Sequence, residues 1–142
     1  MAWQTPKTNW HGSTDSEGVY SGDFFNATDF NRIKNNLAHL RDMAVQLYPP
    51  FTIVSVGNDR SAGDYFYADE INQLEENFNT INTNSIQRSY GSTPTYYANG
   101  NTMDYAELNR LESAMLDLYN RLTSESEGRR KFTWNFGMRE GL

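Results

Sequence analysis

The residues best able to do chemistry at neutral pH are the two histidines, and neither has partners at a useful spacing. His11 lies between Trp10 and Gly12, and His39 lies between the apolar Leu37 and Leu40. Nucleophilic or metal chemistry would require companions at fixed intervals, yet the chain has no H-x-x-x-H, no G-x-S-x-G and no phosphate-cradling glycine loop. Asp15, Glu17 and Asp23, within S-T-D-S-E-G-V-Y-S-G-D, offer the oxygen ligands of a calcium loop in outline. Their spacing lacks the first-position aspartate and terminal glutamate of an EF-hand. Glu70, Glu75 and Glu76 would form an acid–base set only if buried together, and they read as a solvated helix face. Arg129, Arg130 and Lys131 form a basic cluster whose plain reading is a solvated loop. These residues point away from an enzyme, with no metal and no cofactor.

One polar residue recurs at matched positions: Asn31, Asn72 and Asn109. Asparagine is a mediocre helix former, so its recurrence in helical surroundings calls for a role. The amide is expected to register the repeats, by reaching a backbone group of an adjoining loop or another copy's asparagine. A solvated residue inherited through duplication is the plain alternative.

The asparagines belong to a segment written three times. It reads G-D-F-F-N-A-T-D-F-N-R-I-K-N-N-L from Gly22, G-D-Y-F-Y-A-D-E-I-N-Q-L-E-E-N-F from Gly63 and G-N-T-M-D-Y-A-E-L-N-R-L-E-S-A-M from Gly100, at offsets of 41 and 37 residues. Phe25, Phe66 and Met103 precede the cap positions. Five residues later stand Phe30, Ile71 and Leu108, the spacing of a hydrophobic staple. Asn26 and Asp104 are good N-caps, with Asp29 and Glu107 three residues on; the middle copy has Tyr67 at its cap but keeps Glu70. Apolar residues then advance by threes and fours. The stripes are Phe30, Ile33, Leu37, Leu40, Ala44 and Leu47; Ile71, Leu74, Phe78 and Ile81; and Leu108, Leu111, Met115, Leu118 and Leu122. Such narrow stripes need neighbouring helices.

These signals predict helices over Ala27–Leu47, ending before Pro49 and Pro50, over Ala68–Asn84 and over Tyr105–Thr123. Phe51–Val56 is dense in β-branched residues and reads as a short strand. K-F-T-W-N-F alternates apolar and polar residues and reads as a half-buried strand with Phe132, Trp134 and Phe136 on one face. The expected organisation is an extended N-terminal arm over 1–21, a three-repeat helical domain over 22–125 and a C-terminal strand or tail over 126–142. The fold class is mainly α, a three-helix bundle built from loop–helix repeats with short β-strand elements. A helical solenoid competes, but its units carry two or more helices and each repeat here carries one.

At 142 residues, the chain suits one domain. No stretch approaches the roughly twenty apolar residues of a membrane span, and M-A-W-Q-T-P-K does not read as a signal peptide, so synthesis in the cytoplasm is expected. With no cysteine, cohesion must come from packing or association. A net charge of −6 argues against nucleic acid as a partner. Aromatic residues make up 14% of an otherwise hydrophilic chain, and many fall in loops, among them Trp3, Trp10, Tyr90, Tyr96 and Tyr97. Such rings either cover the ends of a bundle or meet another chain.

The opening M-A-W-Q-T-P-K-T-N-W, the G-D-F-F-N-A-T-D-F-N-R-I-K-N-N-L-A-H-L that follows and the later Y-A-D-E-I-N-Q-L-E-E-N resemble small tail-associated virion proteins of bacteriophages and prophages of Gram-positive bacteria. The resemblance is strongest over Ala2–Pro50, and its motif names no reaction. It implies a virion location and a building block of the tail tip, baseplate or tail fibre attachment. Together with the bottom-up reading it leads to a homo-oligomeric, ring-forming phage tail protein, made in the host cytoplasm and partnered by itself and other tail proteins. Trp3, Trp10, Phe132, Trp134 and Phe136 are then the candidate docking residues. The alternative from another class is a carbohydrate-binding module that stacks host cell-wall saccharides on Tyr96 and Tyr97, near Asn99 and Asn101. A soluble regulatory partner encoded by a prophage is a third reading.

Overall fold

The computed structural model of the chain describes residues 3–23, 25–62, 68–91 and 105–140, the last twelve by their backbone alone. Its elements are β1 (Gly12–Thr14), β2 (Tyr20–Gly22), α1 (Ala27–Leu47), α2 (Ala68–Thr83) and α3 (Tyr105–Glu140). The start of α1 is fixed locally. The Asn26 side chain accepts from the N–H groups of Thr28 and Asp29 at 3.0 and 3.3 Å, and Asp29 Oδ2 accepts from the Asn26 N–H at 3.0 Å, completing a capping box. The helix stops where Tyr48 turns extended ahead of Pro49 and Pro50.

The helices are mainly what the stripes require: three elements packed around one core. Phe30, Ile33, Leu37, Leu40, Leu74, Phe78, Ile81, Leu108, Leu111, Met115 and Leu118 are all buried, while Ile71 is half-buried and packs against them. Burying each of the larger chains contributes on the order of 2 kcal/mol. Cross-helix contacts set the direction of packing. Arg32 meets Glu112, His39 faces Tyr119 and Tyr48 reaches Glu125, so α1 and α3 run parallel. Glu75 meets Arg110, and Tyr90, packed on Phe78, reaches Asp117, so α2 runs the same way as α3. Parallel helices require long returns, and residues 51–60 belong to the one from α1 to α2, running back along the groove between them, as the N-terminal residues 3–10 do along the groove between α1 and α3.

Two expectations about strands are corrected. Phe51–Val56 is extended but forms no strand, because side chains take its backbone groups. Arg41 Nε donates to the Phe51 carbonyl at 3.0 Å, and Asn77 holds both peptide groups of Val54. The strands lie in the arm instead, where β1 and β2 form an antiparallel hairpin pairing Gly12 with Gly22. Gly22 has φ +129°, and a Cβ there would sit 2.4 Å from Gly12 Cα, so only glycine fits that crossing.

The second correction concerns the tail. The strand expected at Phe132–Phe136, and with it the strand or tail over 126–142, is helix as far as Glu140. S-E-S-E-G contains no proline, the Glu, Arg and Lys around it are good helix formers, and a single interior glycine costs only about 1 kcal/mol. On a helix, Phe132 and Phe136 share a face one turn apart, whereas Trp134 lies round the other side.

Candidate functional site: asparagine clamps in the helix grooves

Among the described residues, four asparagines each grip one residue of segments 3–10 and 51–60 by both of its peptide groups, and Asn82 does the same to Arg88 just after α2. Asn31 Oδ1 accepts from the Arg60 N–H at 2.7 Å, and its Nδ2 donates to the Arg60 carbonyl at 2.9 Å. Asn109 treats Trp10 the same way, at 2.7 and 2.9 Å. Asn36 holds Gln4 at 2.9 and 2.7 Å, and Asn77 holds Val54 at 3.0 and 2.7 Å. A primary amide presents one acceptor and one donor side by side, the complement of an extended residue's N–H and C=O.

The clamps follow the repeat. Residues 3–10 lie between α1, which supplies Asn36, and α3, which supplies Asn109. Residues 54–60 lie between α2, which supplies Asn77, and α1, which supplies Asn31. Helix α1 therefore holds the segment leading into it by Asn36 and the segment belonging to the next unit by Asn31, α2 holds the segment leading into it by Asn77, and Asn109 of α3 closes the cycle onto the arm. Asn72, the matching residue of α2, is half-buried and engaged as well. At the place of Asn36 and Asn77, α3 carries Ala114, which is buried.

A second cyclic pattern is ionic. Arg32 of α1 meets Glu112 of α3 through Nε at 2.8 Å and Nη2 at 2.7 Å, and its Nη1 reaches Asp29 at 2.9 Å. At matched positions Arg110 of α3 meets Glu75 of α2 at 2.5 Å and Glu107 at 2.7 Å. The third junction breaks the pattern, with Gln73 and Lys34 in place of arginine and glutamate. Gln73 donates to Asn77 Oδ1 at 2.9 Å, and Lys34 pairs with Asp59 at 2.6 Å.

Glu112 is fully buried and receives four donors. Besides Arg32, the Lys7 N–H reaches it at 3.1 Å and Trp10 Nε1 at 2.6 Å. Burial alone would lower the Arg32 pKa, but Glu112 and then Asp29 outweigh it and hold the guanidinium above its ordinary value. Glu75 goes the other way: burial raises its pKa despite Arg110, and its Oε2 is buried without a hydrogen-bond partner among the described residues.

The remaining chemical candidates are dispersed. Trp3 stacks on Tyr119 at 4.1 Å and 5°, with the His39 ring 6.0 Å from Tyr119, so His39 belongs to an aromatic cluster. His11 is exposed, 3.2 Å from Asp23. Asp15 Oδ1 accepts from the N–H groups of Glu17 and Val19 and closes the hairpin turn, while Asp23 accepts from the His11 N–H. Among the described residues no group of three acidic or histidine side chains is placed to hold a metal, and no helix is long and apolar enough to cross a membrane. Of the candidate docking residues, Trp10 is buried in the chain's own core and Trp3 packs against it. Phe132, Trp134 and Phe136 lie on the final turns of α3, and Tyr96 and Tyr97 fall outside the described residues.

Sequence reasoning missed Asn36, Asn77, Arg32, Arg110 and Glu112. The signal that could have found them is the repeat itself, since Asn36 and Asn77 stand at the 41-residue offset and Glu75 and Glu112 at the 37-residue offset. Chemically the arrangement recognises extended backbone and holds it. Compared with family models, curated proteins and solved structures, the chain matches none.

Proposed function

We propose that this protein is a non-enzymatic building block of a phage virion, a homo-oligomer of the tail that sits at its tip, baseplate or fibre attachment. The observation that carries the reading is the destination of its specialised polar groups. Asn31, Asn36, Asn77 and Asn109 are all turned onto the chain's own backbone, and Glu112 onto the chain's own Arg32, Trp10 and Lys7 N–H. Groups spent in this way rigidify a part. They are not held open toward a substrate, as acid–base or binding residues would be. The absence of cysteine and the resemblance of the opening segment to tail-associated virion proteins point the same way.

The reading has the protein made in the host cytoplasm and carried in the particle, docked to itself and to other tail proteins. Because Trp3 and Trp10 are engaged within the bundle, docking falls to other surfaces. The test has two readouts: native mass spectrometry of the purified chain over a range of concentrations, and proteomics of purified particles. A discrete oligomer, together with stoichiometric presence in virions, is the expected result. A chain that stays monomeric at high concentration and is missing from particles overturns it.

A further inference from the structure

We propose that the groove between α1 and α2 takes up an extended segment of a partner protein, which pairs its backbone with Ile53 and Ser55 and lodges one aromatic side chain beside them. The inference goes beyond the assembly reading. Val54 gives both of its peptide groups to Asn77 of α2, and successive residues of an extended chain turn their peptide groups to opposite edges. Ile53 and Ser55 therefore present theirs on the edge that faces α1. The ends of that edge are met from α1: Arg41 Nε donates to the Phe51 carbonyl at 3.0 Å and Lys34 Nζ to the Gly57 carbonyl at 3.3 Å. Between those two points α1 carries Ala38, whose methyl group offers no hydrogen bond. Among the described residues, none reaches the peptide groups of Ile53 or Ser55.

A cavity of about 260 Å³ lies on this edge, walled by Leu37 and Ala38 of α1, Leu74 of α2, and Ile53 and Val56 of the segment. The polar side chains around it are already engaged: Lys34 with Asp59 and the Gly57 carbonyl, Asn35 with Asp59, and Asn77 with Val54. Charge therefore does not choose the occupant; apolar wall and strand edge do. The volume falls below the roughly 300–1,000 Å³ of cofactor-sized pockets and exceeds the ~150 Å³ that takes up benzene, so it suits one aromatic side chain. The clamps show why the space is there. Aligned on them, the groove between α3 and α1 carries Trp3, Lys7 and Leu116 where this one carries Ile53, Gly57 and Ala38. In that groove the Trp3 indole packs against the core, whereas here the matching residues are all smaller. A strand edge beside a side-chain pocket is how β-strand addition recognises peptides, main-chain bonds giving affinity and the pocket specificity. The approach is open, since Val54, Ser55 and Gly57 are exposed. The chain's own segments 3–10 and 51–60 are clamped in their grooves, so the incoming strand belongs to another protein.

The experiment is a titration of the isotope-labelled full chain with the peptide acetyl-Thr-Trp-Thr-amide, followed by NMR of the backbone amides. In the chain alone, the Ile53 and Ser55 amide protons are expected to exchange rapidly with solvent and that of Val54, held by Asn77, slowly. Saturating peptide should slow exchange at Ile53 and Ser55 by about tenfold or more. Acetyl-Thr-Ala-Thr-amide, which lacks the ring, and indole, which lacks the peptide groups, should each bind about tenfold or more weaker. Ala38→Leu installs in α1 the residue that α3 has at the matching position and fills the pocket. It should weaken the peptide by about tenfold or more, with helix content by circular dichroism unchanged. A peptide that does not saturate overturns the proposal, as does one that binds a folded Ala38→Leu chain equally well or leaves both amides exchanging as before. Indole or the alanine peptide binding as tightly as the tryptophan peptide also overturns it. Presence of the chain in virions is measured separately, so failure here leaves the assembly reading standing and failure there leaves this site standing.

Discussion

Asn109 and Trp10, 99 residues apart in sequence, are joined peptide to amide: the Trp10 N–H donates to Asn109 Oδ1 at 2.7 Å and Asn109 Nδ2 donates to the Trp10 carbonyl at 2.9 Å. This pair closes the cycle of three repeats, because it ties the last helix to the segment that leads into the first. Asn109→Ala leaves two part-buried peptide groups without these partners, at a cost of about 2 kcal/mol, or a fall in melting temperature of about 5–10 °C. Asn31→Ala is expected to match it. Ser113→Ala, at an exposed site on the same helix, should leave the melting temperature unchanged.

Glu112 is the most heavily committed buried charge, and Arg32 is its main partner. Glu112→Ala strands the guanidinium and releases Lys7 and Trp10, so a loss of about 3–5 kcal/mol is expected in chemical denaturation. Replacing both residues, as in Arg32→Met with Glu112→Leu, should cost less than Glu112→Ala alone, since no guanidinium is left facing the emptied site, while Asp29, which loses Arg32, keeps its hydrogen bond from the Asn26 N–H. A double variant as unstable as the sum of the single ones would contradict the coupling.

The hairpin crossing depends on Gly22. With φ +129° and a Cβ that would lie 2.4 Å from Gly12 Cα and 2.6 Å from the His11 carbonyl oxygen, Gly22→Ala must displace backbone. The expected loss is about 1–3 kcal/mol. Gly18→Ala also meets a positive φ but no neighbour within 4 Å, so its smaller effect separates strain from collision.

Two carboxylates give stability opposite dependences on pH. The Tyr90 hydroxyl, followed by Arg121 and Arg88, holds the Asp117 pKa below its ordinary value of 3.8. A depressed carboxylate contributes stability that is complete above the unfolded value and is lost as pH falls through the folded one. Tyr90→Phe should therefore destabilise the protein at neutral pH and lose that effect below pH 3.8. Burial raises the Glu75 pKa above 4.5, so the folded state keeps that proton longer and its penalty grows as pH rises from 4.5. Unfolding free energies measured across a pH series for Tyr90→Phe and Glu75→Gln test both signs.

Much of this molecule was written in local sequence. The extent of α1 follows from a capping box at Asn26 and prolines at 49 and 50, and the stripe residues from Phe30 to Leu118 announce which side of each helix goes inward. Both signals lie within a few residues of what they control, and the helical period carries the rest. The tail was ambiguous for the same reason, because Phe132 and Phe136 fit a strand's alternation with Trp134 and equally a helical step of four. The heptad count running on from Leu122 breaks the tie.

What only the tertiary structure decided is where polar groups find partners. Phe51–Val56 has the composition of a strand, yet peptide groups of Phe51 and Val54 are met by Arg41 and Asn77 and it pairs with no strand among the described residues. The recurrence of Asn31 and Asn109 was visible in the sequence, but their choice of Arg60 and Trp10 was not. An amide's hydrogen-bonding capacity is a property of the residue. The groups it satisfies depend on which distant segment the packed helices bring opposite it, and that arrangement exists only once the core has formed.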